Sequence, residues 1–225
     1  MGRLVSRFVL IPGAGGAAWY WSRVIPLLQR AGHEAVAVEL PGDDENAGLP
    51  EYARLVVAAI GDSDDVVLVA QSLGGFTAPL AYIGVAVRGL VFVNAMIPNA
   101  GETPGDWWNN TGWLDARESA AVAGGYSTEF DLDTYFMHDV PPEVAVAGEA
   151  HQRPEANAVF GSACDFVDWP AIPIRVLTGG GDRFFPLDFQ RGVARDRLSL
   201  EPDVVPGGHL IALSNPNGVA DYLLH

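Results

Sequence analysis

The chain has 225 residues, a length that suits one domain carrying an inserted segment. Its 28 acidic residues outnumber its 13 basic ones, all of them arginine, and the formal net charge is −15. Because so acidic a surface repels nucleic-acid phosphates and anionic lipids, the composition argues against nucleic acid and membrane as partners.

The cysteine and histidine content bounds the compartment and the cofactors. A single cysteine, Cys164, excludes an intramolecular disulfide, which suits a reducing cytoplasm. The N-terminal residues lack the apolar core of a signal peptide, and no apolar run reaches the ~18 residues of a membrane span. The five histidines are scattered, without the paired spacing of a zinc site. We therefore expect a soluble, cytoplasmic protein with no metal or other cofactor.

Short apolar runs alternate with helical patterns along most of the chain. The runs are continuous and β-branched, which is typical of strands covered on both faces in a parallel sheet. The predicted strands are 7–11, 34–40, 65–71, 89–95, 174–179 and a final run at 198–205. The predicted helices are 22–31, 50–60, a segment after Ser72, 187–198 and 216–224. This alternation predicts an α/β fold with about six mostly parallel strands flanked by helices.

The alternation stops between residues 98 and 169. This segment has no clear strand pattern and is rich in Trp, Tyr and Phe. We interpret 98–169 as an inserted, mainly helical cap that divides the core into residues 1–97 and 170–225.

Three polar residues each follow a predicted strand. They are Ser72 in A-Q-S-L-G (70–74), Asp182 in G-G-G-D-R (179–183) and His209 in V-P-G-G-H (205–209). Taken singly, they are explained as a helix cap, a turn residue and a solvated loop histidine. In an open parallel sheet, however, ligands bind beyond the carboxyl ends of the strands, where these three residues would meet.

Residues 70–74 resemble the G-x-S-x-G nucleophile elbow of the α/β-hydrolase family, with Ala70 in place of the first glycine. The order Ser72, Asp182, His209 is also the order of that family's catalytic triad. The resemblance is to the small esterase and hydroxynitrile lyase group and covers about 7–98 and 170–225. It implies Ser72 as nucleophile, His209 as base and Asp182 as the acid that orients the base.

The loop after the first strand, L-I-P-G-A-G-G (10–16), is also similar to this family, although Pro12 stands where the family usually has histidine. The resemblance implies that the backbone N–H groups of Ala14 and Leu73 form an oxyanion hole. Since backbone N–H groups would do this work, the proline does not remove a donor.

Together these features predict a serine hydrolase that cleaves a small-molecule carboxylic ester through an acyl-enzyme. The aromatic cap suggests an apolar acyl or alcohol group, with Trp107, Trp108, Phe136 and His138 as candidate substrate contacts. Such a set of aromatic residues can equally form the cap's own core. The oligomeric state is not indicated by the sequence.

Two alternatives stay open. G-A-G-G-A-A (13–18) fits the G-x-G-x-x-A pattern of an NAD(P)-binding oxidoreductase, and Glu39 ends the second strand as a ribose-binding acid would. That hypothesis leaves the three polar residues unexplained. The second alternative is a hydrolase-fold binder or receptor that keeps the triad without significant turnover, because fold does not dictate function.

Overall fold

The computed structural model describes residues 5–82 and 87–225. Its six strands form one sheet in the order β2-β1-β3-β4-β5-β6, and every neighbouring pair is parallel. The strands are β1 Arg7–Ile11, β2 Glu34–Ala37, β3 Val66–Gln71, β4 Val87–Val93, β5 Ile174–Gly179 and β6 Asp203–Val205. The α/β fold predicted from the sequence is confirmed.

Helices cover both faces of this sheet. They are α1 Ile25–Arg30, α2 Leu49–Ile60, α3 Gly74–Ala81, α4 Pro104–Thr111, α5 Trp113–Gly124, α6 Pro142–Gly148, α7 Asn157–Phe160, α8 Leu187–Leu198, α9 Ile211–Ser214 and α10 Pro216–Leu224. Helices α4 to α7 all lie between β4 and β5, and that stretch contains no strand. Within residues 5–82 and 87–225, no helix is long and apolar enough to cross a bilayer.

Two strand predictions were too long by three residues or more. The run 34–40 is a strand only to Ala37, because the chain then turns so that the Leu40 N–H donates to the Gly16 carbonyl. The run 198–205 is a strand only from Asp203, since Leu198 ends α8 and Pro202 has no N–H to give to a ladder.

The core consists of two apolar layers, one on each face of the sheet. Leu68 of β3 packs in the layer beneath α2, α3 and α8, whereas Val67 and Val69 pack in the layer beneath α1 and α10. Burial on both faces explains why β3 is a continuous apolar run. Cys164 belongs to the first layer, where burial raises the pKa of its thiol to about 12, so it packs as an apolar residue.

A buried ion pair ties the segment after β4 to α8. The Glu102 and Arg197 side chains are 4% and 6% exposed, and Arg197 Nη2 donates to Glu102 Oε1 at 3.0 Å. Burial by itself raises the pKa of Glu102. The hydrogen bonds from Arg197, the Asn110 amide and the Asn99 N–H outweigh that effect and hold this pKa below its usual 4.5.

We predict that Glu102→Ala lowers the free energy of unfolding by about 3–5 kcal/mol, since it leaves the Arg197 charge buried without a partner. Because the folded-state pKa of Glu102 is lowered, its contribution is present above pH 4.5 and is lost as the pH falls through the folded value. Urea unfolding at several pH values measures both effects.

The matched control is Glu201→Ala, which removes an exposed partner of both Arg191 and Arg195. We expect a loss below about 1 kcal/mol, because ion pairs exposed to solvent contribute little. Equal losses in the two variants would contradict the assignment of Glu102–Arg197 as a structural pair.

Candidate active site

Ser72 stands at a sharp turn between β3 and α3. Its backbone has a φ of 49°, in the left-handed region that residues other than glycine rarely adopt. The turn is held in place because the Ser72 carbonyl oxygen accepts the N–H groups of Gly75 and Met96, both at 3.0 Å. This strained turn presents the hydroxyl at the tip of the strand, as a nucleophile elbow does.

The two glycines after Ser72 let neighbouring backbone segments approach the turn. A Cβ on Gly74 would lie 2.5 Å from the Pro12 carbonyl oxygen, and a Cβ on Gly75 would overlap the carbonyl oxygen of Met96. Only glycine fits at these close approaches without a shift of the backbone.

The structure places Ser72, His209 and Asp182 in one chain of hydrogen bonds. His209 lies in the loop between β6 and α9 and is fully buried, with Nε2 3.1 Å from Ser72 Oγ. Its Nδ1 lies 2.8 Å from Asp182 Oδ2, in the loop after β5. Three residues from separate loops therefore meet at the carboxyl edge of the sheet.

The Asp182 carboxylate is fixed by further donors. Its Oδ1 accepts the backbone N–H groups of Phe184 and Phe185, both at 2.8 Å. Its Oδ2 also accepts the Gln190 amide of α8 at 3.3 Å. With both oxygens engaged, the carboxylate is held facing the imidazole in one orientation.

Asn94, at the end of β4, links the loops that carry Asp182 and His209. Its amide donates to the carbonyl oxygens of Gly208 and His209 at 2.9 and 3.1 Å, and its Oδ1 accepts the Gly179 N–H at 2.7 Å. In the sequence, Asn94 falls within the predicted strand 89–95, whereas β4 ends at Val93. Its role as a bridge between two distant loops depends on contacts that the sequence does not show.

Gln71 is another site residue that the sequence analysis did not assign. Its Nε2 lies 3.3 Å from His209 Nε2. When His209 Nδ1–H donates to Asp182, the bare Nε2 can accept from both the Gln71 amide and the Ser72 hydroxyl. The arrangement therefore favours the tautomer that a general base needs.

Three phenylalanine rings pack against the imidazole, and the Tyr20 phenol lines the same cavity. The centroids of Phe136, Phe184 and Phe185 lie 4.8, 5.0 and 5.0 Å from that of His209, all edge to face. Tyr20 accepts the Ala212 N–H at 3.3 Å, and burial raises its pKa, so its hydroxyl stays neutral. Water has little access to the ring, which strengthens the hydrogen bonds around it.

Ala14 and Leu73 both line the cavity that contains Ser72. Across residues 5–82 and 87–225, neither backbone N–H donates a hydrogen bond to another protein group. Two free donors beside a hydroxyl are what an oxyanion hole requires.

This cavity has a volume of about 420 Å³ and is bounded by the sheet edge and the segment between β4 and β5. Its wall is mainly aromatic and aliphatic, with contributions from Trp19, Trp108, Phe130, Leu132, Phe136, Met137, Phe160 and Phe184. The same wall also contains three polar residues, Gln152, Arg153 and Glu155.

Two of the four predicted substrate contacts, Trp108 and Phe136, line the cavity, and two do not. Trp107 is fully buried in the core, where its Nε1 donates to the Ile97 carbonyl at 3.0 Å. Trp107 directly precedes Trp108 on α4, so the two side chains point about 100° apart around the helix axis. His138 contacts the loop of Gly208 instead, where its Cε1 would lie 2.8 Å from a Cβ on that glycine.

The glycine loop does not have the geometry of a dinucleotide site. After Gly16 the chain forms a 3₁₀ turn, Ala18–Trp21, and α1 starts only at Ile25, whereas a pyrophosphate site needs the helix to start at the glycines. Both Glu39 oxygens are engaged, by the Ala18 N–H and by Arg153. In the part of the chain described, no group of three or more His, Cys, Asp or Glu side chains could hold a metal ion.

The chain matches known proteins over nearly its whole length. A model of the alpha/beta hydrolase family matches residues 8–222. Norfluorocurarine synthase 1 from a Strychnos species is 32% identical over 96% of this chain and 92% of that protein. Methylesterase 7 from Arabidopsis thaliana is 35% identical over 97% and 95%. The crystal structure of polyneuridine aldehyde esterase shares the fold, with a TM-score of 0.80 at 21% identity over 98% of both chains.

We predict that Gly75→Ala lowers the free energy of unfolding by about 2–3 kcal/mol, because the added methyl group overlaps the Met96 carbonyl and displaces the turn. Gly192→Ala in α8 is the control, since a Cβ there meets nothing within 4 Å, and should be stabilising by about 0.5–1 kcal/mol. Urea denaturation compares the two, and a harmless Gly75→Ala would contradict the close approach.

Proposed function

Because the chain belongs to the alpha/beta hydrolase family, we propose that it is a serine hydrolase of small-molecule carboxylic esters. The observation that carries this proposal is the buried chain of hydrogen bonds, 3.1 Å from Ser72 Oγ to His209 Nε2 and 2.8 Å from His209 Nδ1 to Asp182 Oδ2. Similarity to a methylesterase over nearly the whole chain supports esters as the substrate class.

The first half of the reaction forms the acyl-enzyme. Ser72 Oγ attacks the ester carbonyl carbon while His209 Nε2 takes the hydroxyl proton, and Asp182 stabilises the resulting imidazolium. The carbonyl oxygen becomes negative and accepts hydrogen bonds from the Ala14 and Leu73 N–H groups. The bond from carbon to the alcohol oxygen then breaks, and His209 gives its proton to that oxygen.

The second half reverses these roles with water. His209 takes a proton from water, whose oxygen attacks the acyl carbon, and the same oxyanion donors stabilise the new tetrahedral state. The bond to Ser72 Oγ breaks, His209 returns the proton to it, and the carboxylic acid leaves. An ester suits this site because an alcohol leaves with less proton transfer than an amine.

The cavity favours a neutral, apolar substrate. Among the described residues that line the cavity, Arg153 is the only side chain with a permanent positive charge. Its guanidinium group already donates to Glu39 at 2.5 Å. A substrate carboxylate would lose its hydration without gaining a free cation, and this desolvation is costly. The aromatic wall instead contacts alkyl or aryl groups.

We predict that Ser72→Ala lowers kcat for an activated ester by about 10⁴–10⁶, because the three side chains act as a unit. The measurement is turnover of p-nitrophenyl esters together with labelling by a fluorophosphonate probe. Ser119→Ala, which changes an exposed serine of α5, is the control and keeps parent activity. Parent-like turnover in Ser72→Ala would end the proposal, whereas labelling of Ser72 without any turnover would favour the binder alternative.

We also predict that kcat/KM for neutral alkyl or aryl esters exceeds that for matched esters with a free carboxylate by at least about tenfold. A panel of ester pairs that differ only in that carboxylate measures this ratio. Equal values for the two members of each pair would show that an unpaired cation reaches the substrate.

A further inference from the structure

We propose that two acids of the cap segment, Glu155 and Asp139, are positioning residues. They hold two loops in their working orientation: the oxyanion loop after β1 (12–16) and the histidine loop between β6 and α9 (206–210). Each acid accepts the backbone N–H of a residue next to one of the groups assigned above. The inference rests on the proposed function, since it concerns the same reaction centre.

Glu155 holds the oxyanion loop. Its Oε2 accepts the Gly15 N–H at 2.5 Å, and its Oε1 accepts the Tyr52 hydroxyl at 2.6 Å. Gly15 directly follows Ala14, and its φ of 82° makes the loop conformation one that ordinary residues do not stabilise by themselves. A charge-assisted bond to the next peptide therefore limits how the Ala14 peptide can rotate.

Neighbouring contacts join the same cap segment to the loop after β2. The Ala156 N–H donates to the Gly42 carbonyl at 2.6 Å, and Arg153 donates to the Leu40 carbonyl at 3.2 Å. The Leu40 N–H in turn donates to the Gly16 carbonyl at 2.9 Å. Residues 153–156 thus hold the oxyanion loop in two ways, directly through Glu155 and indirectly through the loop after β2.

Asp139 holds the histidine loop. Its Oδ2 accepts the Gly208 N–H at 2.5 Å, immediately before His209. Asn94 binds the Gly208 carbonyl, so this residue is held by both its donor and its acceptor. A Cβ on Gly208 would lie 2.6 Å from Asp139 Oδ1, which shows how closely the acid approaches the loop.

Stability does not explain these two acids. Asp139 Oδ1 is buried without a hydrogen-bond partner in the described part of the chain, and such an oxygen lowers stability. Burial raises the pKa of Glu155 despite its hydrogen bonds, so its ionised form also disfavours folding. Buried polar groups that cost stability are expected where they serve a site.

The kinetic test compares Glu155→Ala and Asp139→Ala with the parent chain. We expect kcat to fall by about 10–100-fold in each, because a misplacement of about 1 Å in a reaction centre costs that much. For Asp139→Ala, which does not change the cavity wall, KM should stay within about threefold. The exposed cap acids give the controls Glu149→Ala and Asp133→Ala, which should keep the parent kcat.

Conservative variants separate positioning from general damage. Glu155→Gln and Asp139→Asn retain an oxygen that can accept the Gly15 or Gly208 N–H, so kcat should recover to within about fivefold of the parent. A parent-like kcat in both folded alanine variants would overturn the inference. If an alanine variant does not fold, the Gln or Asn variant at the same position tests the inference through the NMR signals described next.

NMR signals test the inference independently of turnover. In Glu155→Ala or Glu155→Gln, the Ala14 amide signal should shift while the His209 ring N–H signal stays. In Asp139→Ala or Asp139→Asn, the His209 ring signal should shift while Ala14 stays. A parent without ester turnover would refute the proposed function, but unmoved signals in all four variants would refute the positioning role.

Discussion

The rest of the site depends on the two hydrogen bonds made by the buried imidazole of His209. It joins Ser72, at the end of β3, to Asp182, after β5, across 137 and 27 residues of sequence. A parallel sheet makes this possible, because the carboxyl ends of its strands lie at one edge and their loops meet there. The left-handed turn at Ser72 and the two hydrogen bonds to its carbonyl then aim the hydroxyl at the imidazole.

The segment between β4 and β5 does more than cover this edge. Its rings form one wall of the cavity, and Phe136 also packs against the His209 ring. Its acids Glu155 and Asp139 each accept a backbone N–H from a loop of the core. Under the proposed function, this one segment would both bind the substrate and orient the reacting groups, so a change in one is expected to affect the other.

Three of the arginines are engaged by carboxylates or aromatic rings of the chain itself. Arg197 is buried against Glu102, and Arg153 pairs with Glu39 at the edge of the cavity. Arg117 lies between the rings of Trp113 and Tyr135, at 5.2 and 4.9 Å from their centroids. Planar guanidinium groups suit such paired and stacked positions, which an ammonium group would fill less well. In these positions the three guanidinium groups serve the packing of the chain.

The sequence by itself determined the sheet, since continuous β-branched runs such as β3 have one stable placement, between two apolar layers. It also determined the order of Ser72, Asp182 and His209, because each follows a strand. Only the tertiary structure decided that Trp108 faces the cavity while Trp107 faces the core, since helix rotation depends on what packs around it. It alone also located Asn94, Glu155 and Asp139, because their partners are backbone groups of distant loops, and backbone groups leave no mark in a sequence.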